Sequence, residues 1–124
     1  VMLTVLPEKD EKRIEELFLS AKLDFGEGCR CVTARNGEEI LGYCLFKIEN
    51  GAVYILCITP QDDILLADGI LRSALFFASN QFIFKAYYGE KAPEELFFKL
   101  GFIKNPAERS LDMDMLFKDC SCKK

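Results

Sequence analysis

Apolar residues recur along this chain with two periods, one helical and one extended. In "RIEELFLSA", Ile14, Leu17, Phe18 and Ala21 fall at i, i+3, i+4 and i+7. That spacing sets them on one stripe of a helix. Pro7 and the acidic residues Glu8, Asp10 and Glu11 open it, since negative charge suits the positive end of the helix dipole. Gly26 and Gly28 end the region. A second helix is predicted from Asp62 or Asp63 to Ser79, with Ile64, Leu65, Ile70, Leu71, Ala74, Leu75 and Ala78 on its apolar face. A third, short helix lies in "APEELFFKLGF". Pro93 suits its first position, and Glu94 and Glu95 load its first turn with negative charge. Leu96 and Leu100 share a face with Phe97 beside them. Gly101 can take the left-handed conformation that stops a helix, and Phe102 leads into a strand.

The extended period fills the rest. "MLTVL", residues 2–6, reads as a strand. Two Asn-Gly pairs, Asn36-Gly37 and Asn50-Gly51, separate strand-like runs at 29–35, 39–49 and 52–59. Asn-Gly favours the type I′ hairpin turn, because both residues tolerate positive φ. In "VYILCIT" the sets Val53/Ile55/Cys57 and Tyr54/Leu56/Ile58 are both apolar, which predicts a central strand covered on both faces. "FIFKAYY" reads as a further strand, and "SLDMDMLFK" as a last one with Leu111, Met113, Met115 and Phe117 on one face. The order β-α-βββ-α-β-α-β(β) makes an α/β domain with a mixed sheet covered by helices. The run from Val53 to Tyr87 is strand-helix-strand, so its two strands should pair in parallel through a right-handed crossover.

Composition narrows the chemistry. The chain has 124 residues, half of them hydrophobic, which suits a single domain, residues 1–124, with a substantial core. No apolar run approaches the ~20 residues of a membrane span. The start lacks the basic-then-apolar order of a signal peptide, so a cytoplasmic location is expected. The net charge of −4 argues against nucleic-acid or anionic-membrane partners, which need a basic footprint. Histidine is absent. Ser-His and Cys-His nucleophile pairs are thereby excluded, as are imidazole-based zinc sites.

"APEELFFKLGF" resembles the late helix of the GNAT superfamily of acetyltransferases, whose pattern there is roughly A-x-x-L-Y-E-K-L-G-F. The order of elements is also the GNAT order. The resemblance implies a single GNAT-like domain: a mixed, mostly antiparallel sheet of six to seven strands flanked by three main helices. It implies transfer of an acyl group from acetyl-CoA or another acyl-CoA to a small amine or peptide. A homodimer is compatible with such a domain. One departure lies early, where the family usually places two helices that help shape the acceptor site. Here only residues 7–27 are available.

In the family the end of the fourth strand and the following loop hold the coenzyme, with backbone N–H groups at a helix N-terminus on the pyrophosphate. By resemblance the coenzyme positions are Cys57, Ile58 and Thr59, then Leu65, Leu66 and Ala67. "ILCITP" matches the strand end. The loop pattern, roughly Q/R-x-x-G-x-G/A, fits less well. One alignment puts Asp62 at the Gln/Arg position, Leu65 at the first glycine and Ala67 at the second. Another uses Gly69 as the first glycine, with Leu66 and Leu71 at the flanking positions. Asp62, Asp63 and Asp68 add like charge where a pyrophosphate would sit. The alternative is a helix that caps itself with Asp62 or Asp63, with Gly69 serving close packing.

Acyl transfer to an amine requires a proton acceptor for the amine and a proton donor for the departing thiolate. The family's donor is often a tyrosine at the position of Phe97, which has no proton to give. Its base is often a glutamate near the fourth strand, which carries no acid here. By residue type the substitutes are Tyr87 and Tyr88 for the donor, and Glu90 and, on the preceding strand, Glu49 for the base. For the tyrosines the plainer reading is a rim with one ring packed and one wet. An alternative function follows from these departures: a GNAT-fold binding or assembly module without catalysis.

The cysteines invite a metal reading. Cys29/Cys31 and Cys120/Cys122 each form Cys-x-Cys, whose side chains share one face of a strand. Two C-x₂-C motifs, the familiar zinc spacing, are absent. In a GNAT-like sheet the pairs lie several strands apart at about 4.8 Å each, too far for shared ligand bonds of about 2.3 Å. The expectation is ordinary reduced cysteines and no metal, with Cys44 and Cys57 as small core residues.

Overall fold

A computed structural model describes residues 3–116. The elements are β1 (Leu3–Pro7), α1 (Glu11–Ser20), β2 (Cys29–Asn36), β3 (Glu39–Glu49), β4 (Ala52–Thr59), α2 (Ile64–Ser79), β5 (Lys85–Tyr88), α3 (Glu94–Leu100), β6 (Ile103–Asn105) and β7 (Ser110–Leu111). They form one sheet in the order β1-β2-β3-β4-β5-β7-β6. All neighbouring strands are antiparallel except β4 and β5, which are parallel. The expected crossover through α2 is therefore present. No helix among the described residues is long and apolar enough to cross a membrane.

Two cores sandwich the sheet. On one face, Ile70, Leu71, Ala74, Leu75 and Ala78 of α2 and Leu96 and Phe97 of α3 pack on Val32, Phe46, Val53, Ile55 and Ile58. On the other, Ile14 and Phe18 of α1 pack on Cys29, Cys31 and Leu45, with Leu17 and Ala21 partly buried beside them. The helical stripe read from the sequence is thus the buried one. Ile64 and Leu65 are not part of the α2 face; Leu65 is 86% exposed. They occupy the first turn, before the helix comes down onto the sheet.

Caps explain several shifted boundaries. Pro7 does not open α1. It ends the edge strand β1, where its missing N–H leaves no ladder bond unmade. Asp10 caps α1 by accepting from Lys12 and Arg13 N–H. Pro93 is the N-cap of α3, one residue ahead of the first helical position, and Gly101 takes φ 80 as the left-handed stop. β5 is shorter than "FIFKAYY". The N–H groups of Phe82 and Ile83 bond back to Ser79 and Ala78 at the end of α2, so these residues are not available to a strand.

The hairpins differ from each other. Asn50 and Gly51 both have positive φ, 53 and 76, as a type I′ turn requires. At the first hairpin Asn36 still pairs with Glu39, and of the turn residues Gly37 alone has positive φ. That is the sign pattern of a type II′ turn, not I′. The last strand is also corrected: β7 ends at Leu111. Asp112 accepts the Asp114 N–H at 3.0 Å, and Met115 and Leu116 bond back to residues 112 and 113. This side-chain turn competes with extended backbone. Phe117, the last member of the expected face, lies outside the described residues.

β4 does not alternate strictly. Leu45 pairs with Cys57 and Phe46 with Ile55, so Leu56 is an extra residue, a β-bulge. Ile55 and Ile58 consequently face α2 together, whereas Leu56 and Cys57 turn toward α1. The strand leaves the sheet past Gly42. A Cβ there would sit 2.5 Å from the Thr59 carbonyl oxygen and 2.9 Å from Ile70 Cδ1. Only glycine lets β3, the strand end and α2 approach this closely.

Candidate functional site at the mouth between β4 and β5

The parallel pair separates before β4 ends. Its last register partners are Ile55 and Tyr88, followed by a 2.9 Å bond from Gly89 N–H to the Ile55 carbonyl. β4 continues to Thr59, so Leu56 to Thr59 have no strand partner on the β5 side. The bulge sits where the strands part. Of the expected coenzyme positions on β4, Ile58 is fully buried, and Cys57 and Thr59 are half-buried at the mouth. The Ile58 carbonyl accepts the Gln61 side-chain amide at 3.4 Å.

Above the mouth, α2 begins by capping itself. The Asp63 carboxylate accepts the Leu66 N–H at 3.1 Å, and the Asp63 carbonyl accepts the Ala67 N–H at 2.9 Å. Leu65 projects into solvent, Leu66 is half-buried and Ala67 is fully buried. Gly69 meets nothing within 4 Å of an added Cβ. Its expected role in close packing is therefore not its role.

The candidate proton-transfer residues divide between the two faces. Tyr88 is buried, its ring 5.1 Å from that of Phe97. Its hydroxyl donates to Glu94 Oε2 at 2.5 Å. Burial pushes the Tyr88 phenol up to about 12, and its hydrogen bond to Glu94 adds to the rise. Glu90 is exposed in the same open depression of about 490 Å³, together with Glu94, Glu108 and Arg109. Tyr87 lies on the opposite face, stacked on Tyr54 with ring centroids 5.4 Å apart. One tyrosine is packed and the other half exposed, as a rim would have it. Glu49 is not near the mouth. It pairs with Ala52 at the start of β4, about 23 Å from Thr59 by strand rise, and binds Lys47 at 3.2 Å.

Two features escaped the sequence reading. Glu94 was assigned only to the helix dipole, yet it is the partner of Tyr88. Nothing in the spacing of two residues joined by a loop could have shown it. A second depression of about 340 Å³ is lined by Gln61, Pro93, Glu94, Glu95, Leu96 and Lys99. Glu94 thus borders both depressions.

The cysteine pair at the start of β2 is internal. Cys29 and Cys31 are buried toward α1, and the Cys29 sulfur accepts the Gly26 N–H at 3.3 Å. Burial, and then Glu8, pushes the Cys31 thiol up to about 12. Burial also raises Cys57. Such thiols stay protonated at neutral pH. Among the described residues no group of three or more acidic or thiol side chains could hold a metal. Cys120 and Cys122 lie outside the described residues.

No protein-family model and no curated protein sequence matches the chain. Solved structures do. A protein from Desulfovibrio desulfuricans, assigned to the GNAT acetyltransferases, superposes with a TM-score of 0.59 at 11% identity, over 83% of this chain and 85% of its own. YhhK of E. coli, assigned as an N-acetyltransferase and solved bound to coenzyme A, gives 0.53 at 13% identity over 85% and 94%. The PaiA N-acetyltransferase of Thermoplasma acidophilum, in complex with coenzyme A, gives 0.53 at 14% identity over 82% and 67%. With its strand order and, among the described residues, one parallel pair parting at the bulge of β4, this chain has the fold of the GNAT acetyltransferases.

Proposed function

We propose that the protein is an acyltransferase that uses an acyl-CoA-type thioester and a small amine or peptide acceptor, with the thioester arm lying in the mouth between β4 and β5. The observation that carries this reading is the parting of the parallel pair at Ile55 and Tyr88, which leaves Leu56–Thr59 without a strand partner on the β5 side. Backbone groups on that side can bond the amides of a pantetheine arm. Two of the similar structures hold coenzyme A, which supports the donor class. In this reading the backbone of Cys57, Ile58 and Thr59 holds the arm. Glu90, the exposed carboxylate that follows Gly89 where the strands part, accepts the proton of the amine. The thiolate leaves toward the open depression and takes its proton from solvent, since the Tyr88 proton is held by Glu94. Tyr87 faces away and is left outside the reaction.

The opposite reading, a GNAT-fold binding or assembly module, is favoured by one specific observation. Phe97 stands where the family often has its acid, and it is fully buried. The test is thiol release from acetyl-CoA across a panel of amines and peptides, run beside calorimetric titration with acetyl-CoA. Release that depends on the acceptor supports the transferase. Binding without release, over a broad panel, supports the module. No binding contradicts both uses of the mouth.

A further inference from the structure

The two ends of a coenzyme A thioester do not fit this chain equally. The arm end meets the edge of β4 that β5 leaves open. The phosphate end would meet the first turn of α2, where an aspartate already holds one of the backbone donors. The Leu66 N–H is held by the Asp63 carboxylate at 3.1 Å. The Asp63 carboxylate, itself an anion, thus occupies one of the positions a phosphate oxygen would take at a helix N-terminus. Asp62 and Asp68 place two more carboxylates close by in sequence, and Asp68 pairs with Arg72 at 2.9 Å. Leu65, 86% exposed, puts an isobutyl group where the fold's glycine would let an anion come close.

Resting on the transferase reading above, we infer that Asp63 makes this site indifferent to the phosphates of its donor, so that the substrate class is pantetheine thioesters recognised by the arm alone. Coenzyme A, dephospho-coenzyme A and simple pantetheine esters then bind with similar affinity. In a site that grips the pyrophosphate, the nucleotide end adds affinity and salt weakens it. Here the nucleotide end adds nothing, because its charge meets Asp63. Asp63 is accordingly a specificity-determining residue, and the capping bond is the means.

The test is calorimetric titration of the whole chain with acetyl-CoA and with acetyl-pantetheine, for the wild type and Asp63→Asn. Asparagine caps helices about as well as aspartate, and a melting curve checks that the variant is folded. The wild type should bind the two ligands within about threefold of each other. Asp63→Asn should tighten acetyl-CoA by about tenfold, the scale of one close like-charge contact, and leave acetyl-pantetheine unchanged. Wild-type binding of acetyl-CoA tenfold or more tighter than acetyl-pantetheine would overturn the inference and leave the transferase reading standing. So would equal tightening of both ligands, or of neither, in Asp63→Asn. Failure of both ligands to bind the wild type would remove the reading of the mouth and this inference with it.

Discussion

Tyr88 Oη donates to Glu94 Oε2 at 2.5 Å, across the joint between β5 and α3. The bond ties the last paired residue of β5 to the first turn of the helix that borders the mouth. It also holds the phenol proton. A tyrosine with its pKa at about 12 is a poor donor toward a thiolate, whose conjugate thiol is far more acidic. The pair is first a latch that sets α3 against the sheet.

The latch has a pH signature. The folded pKa lies above the usual tyrosine value of about 10, so the folded state holds its proton longer than the unfolded one. The stability it contributes is complete below pH ~10 and is lost as pH rises toward 12. Tyr88→Phe should cost about 1 kcal/mol at neutral pH and flatten the alkaline fall in melting temperature over that window. Ultraviolet titration of tyrosinate, wild type against variant, identifies the group. An unchanged alkaline slope in the variant would show that the phenol is not held.

Phe97 is fully buried against Tyr88. Restoring the family's tyrosine by Phe97→Tyr should bury a hydroxyl without a partner and cost on the order of 1–3 kcal/mol. General acid catalysis is typically worth ~10²–10⁴-fold, so a rescue would be plain in a thiol-release assay. No such gain is expected. A variant that is stable and much faster than the wild type would show that residue 97 reaches the mouth after all.

Two glycines should respond with opposite signs. At Gly69, inside α2, an added Cβ meets nothing within 4 Å, and glycine costs about 0.5–1 kcal/mol against alanine in a helix. Gly69→Ala should raise stability by about that amount. At Gly42 the added Cβ would collide with the Thr59 carbonyl oxygen at 2.5 Å. Gly42→Ala should destabilise by roughly 1–3 kcal/mol. Denaturant unfolding of the two variants checks both, and equal effects would contradict the packing at the end of β4.

Much of this architecture was legible in the chain. The stripe of Ile14 and Phe18, the Asn50-Gly51 turn and the Gly101 stop are local codes, each fixed by period or by φ. The parallel β4–β5 pair followed from connection length. What stayed hidden depends on residues that meet only in space. The bulge at Leu56 is invisible because both registers of "VYILCIT" are apolar. The Tyr88–Glu94 bond depends on how α3 lands. β7 was overextended because alternation in "SLDMDMLF" is shared by a strand and by a turn that Asp112 closes with its own side chain. The self-capping of α2 by Asp63 was readable as an alternative, since aspartate is a common cap, but its bearing on an anion needed the N–H partners.

The central claim is that a pantetheine thioester lies along the end of β4, on the edge that β5 leaves open. The most direct measurement is backbone amide chemical-shift mapping on isotope-labelled protein titrated with acetyl-CoA. The account predicts perturbations concentrated at Leu56–Thr59 and around Gly89, with little change at Leu65–Ala67. Shifts concentrated at the first turn of α2, or none at Leu56–Thr59 under saturating ligand, would contradict it.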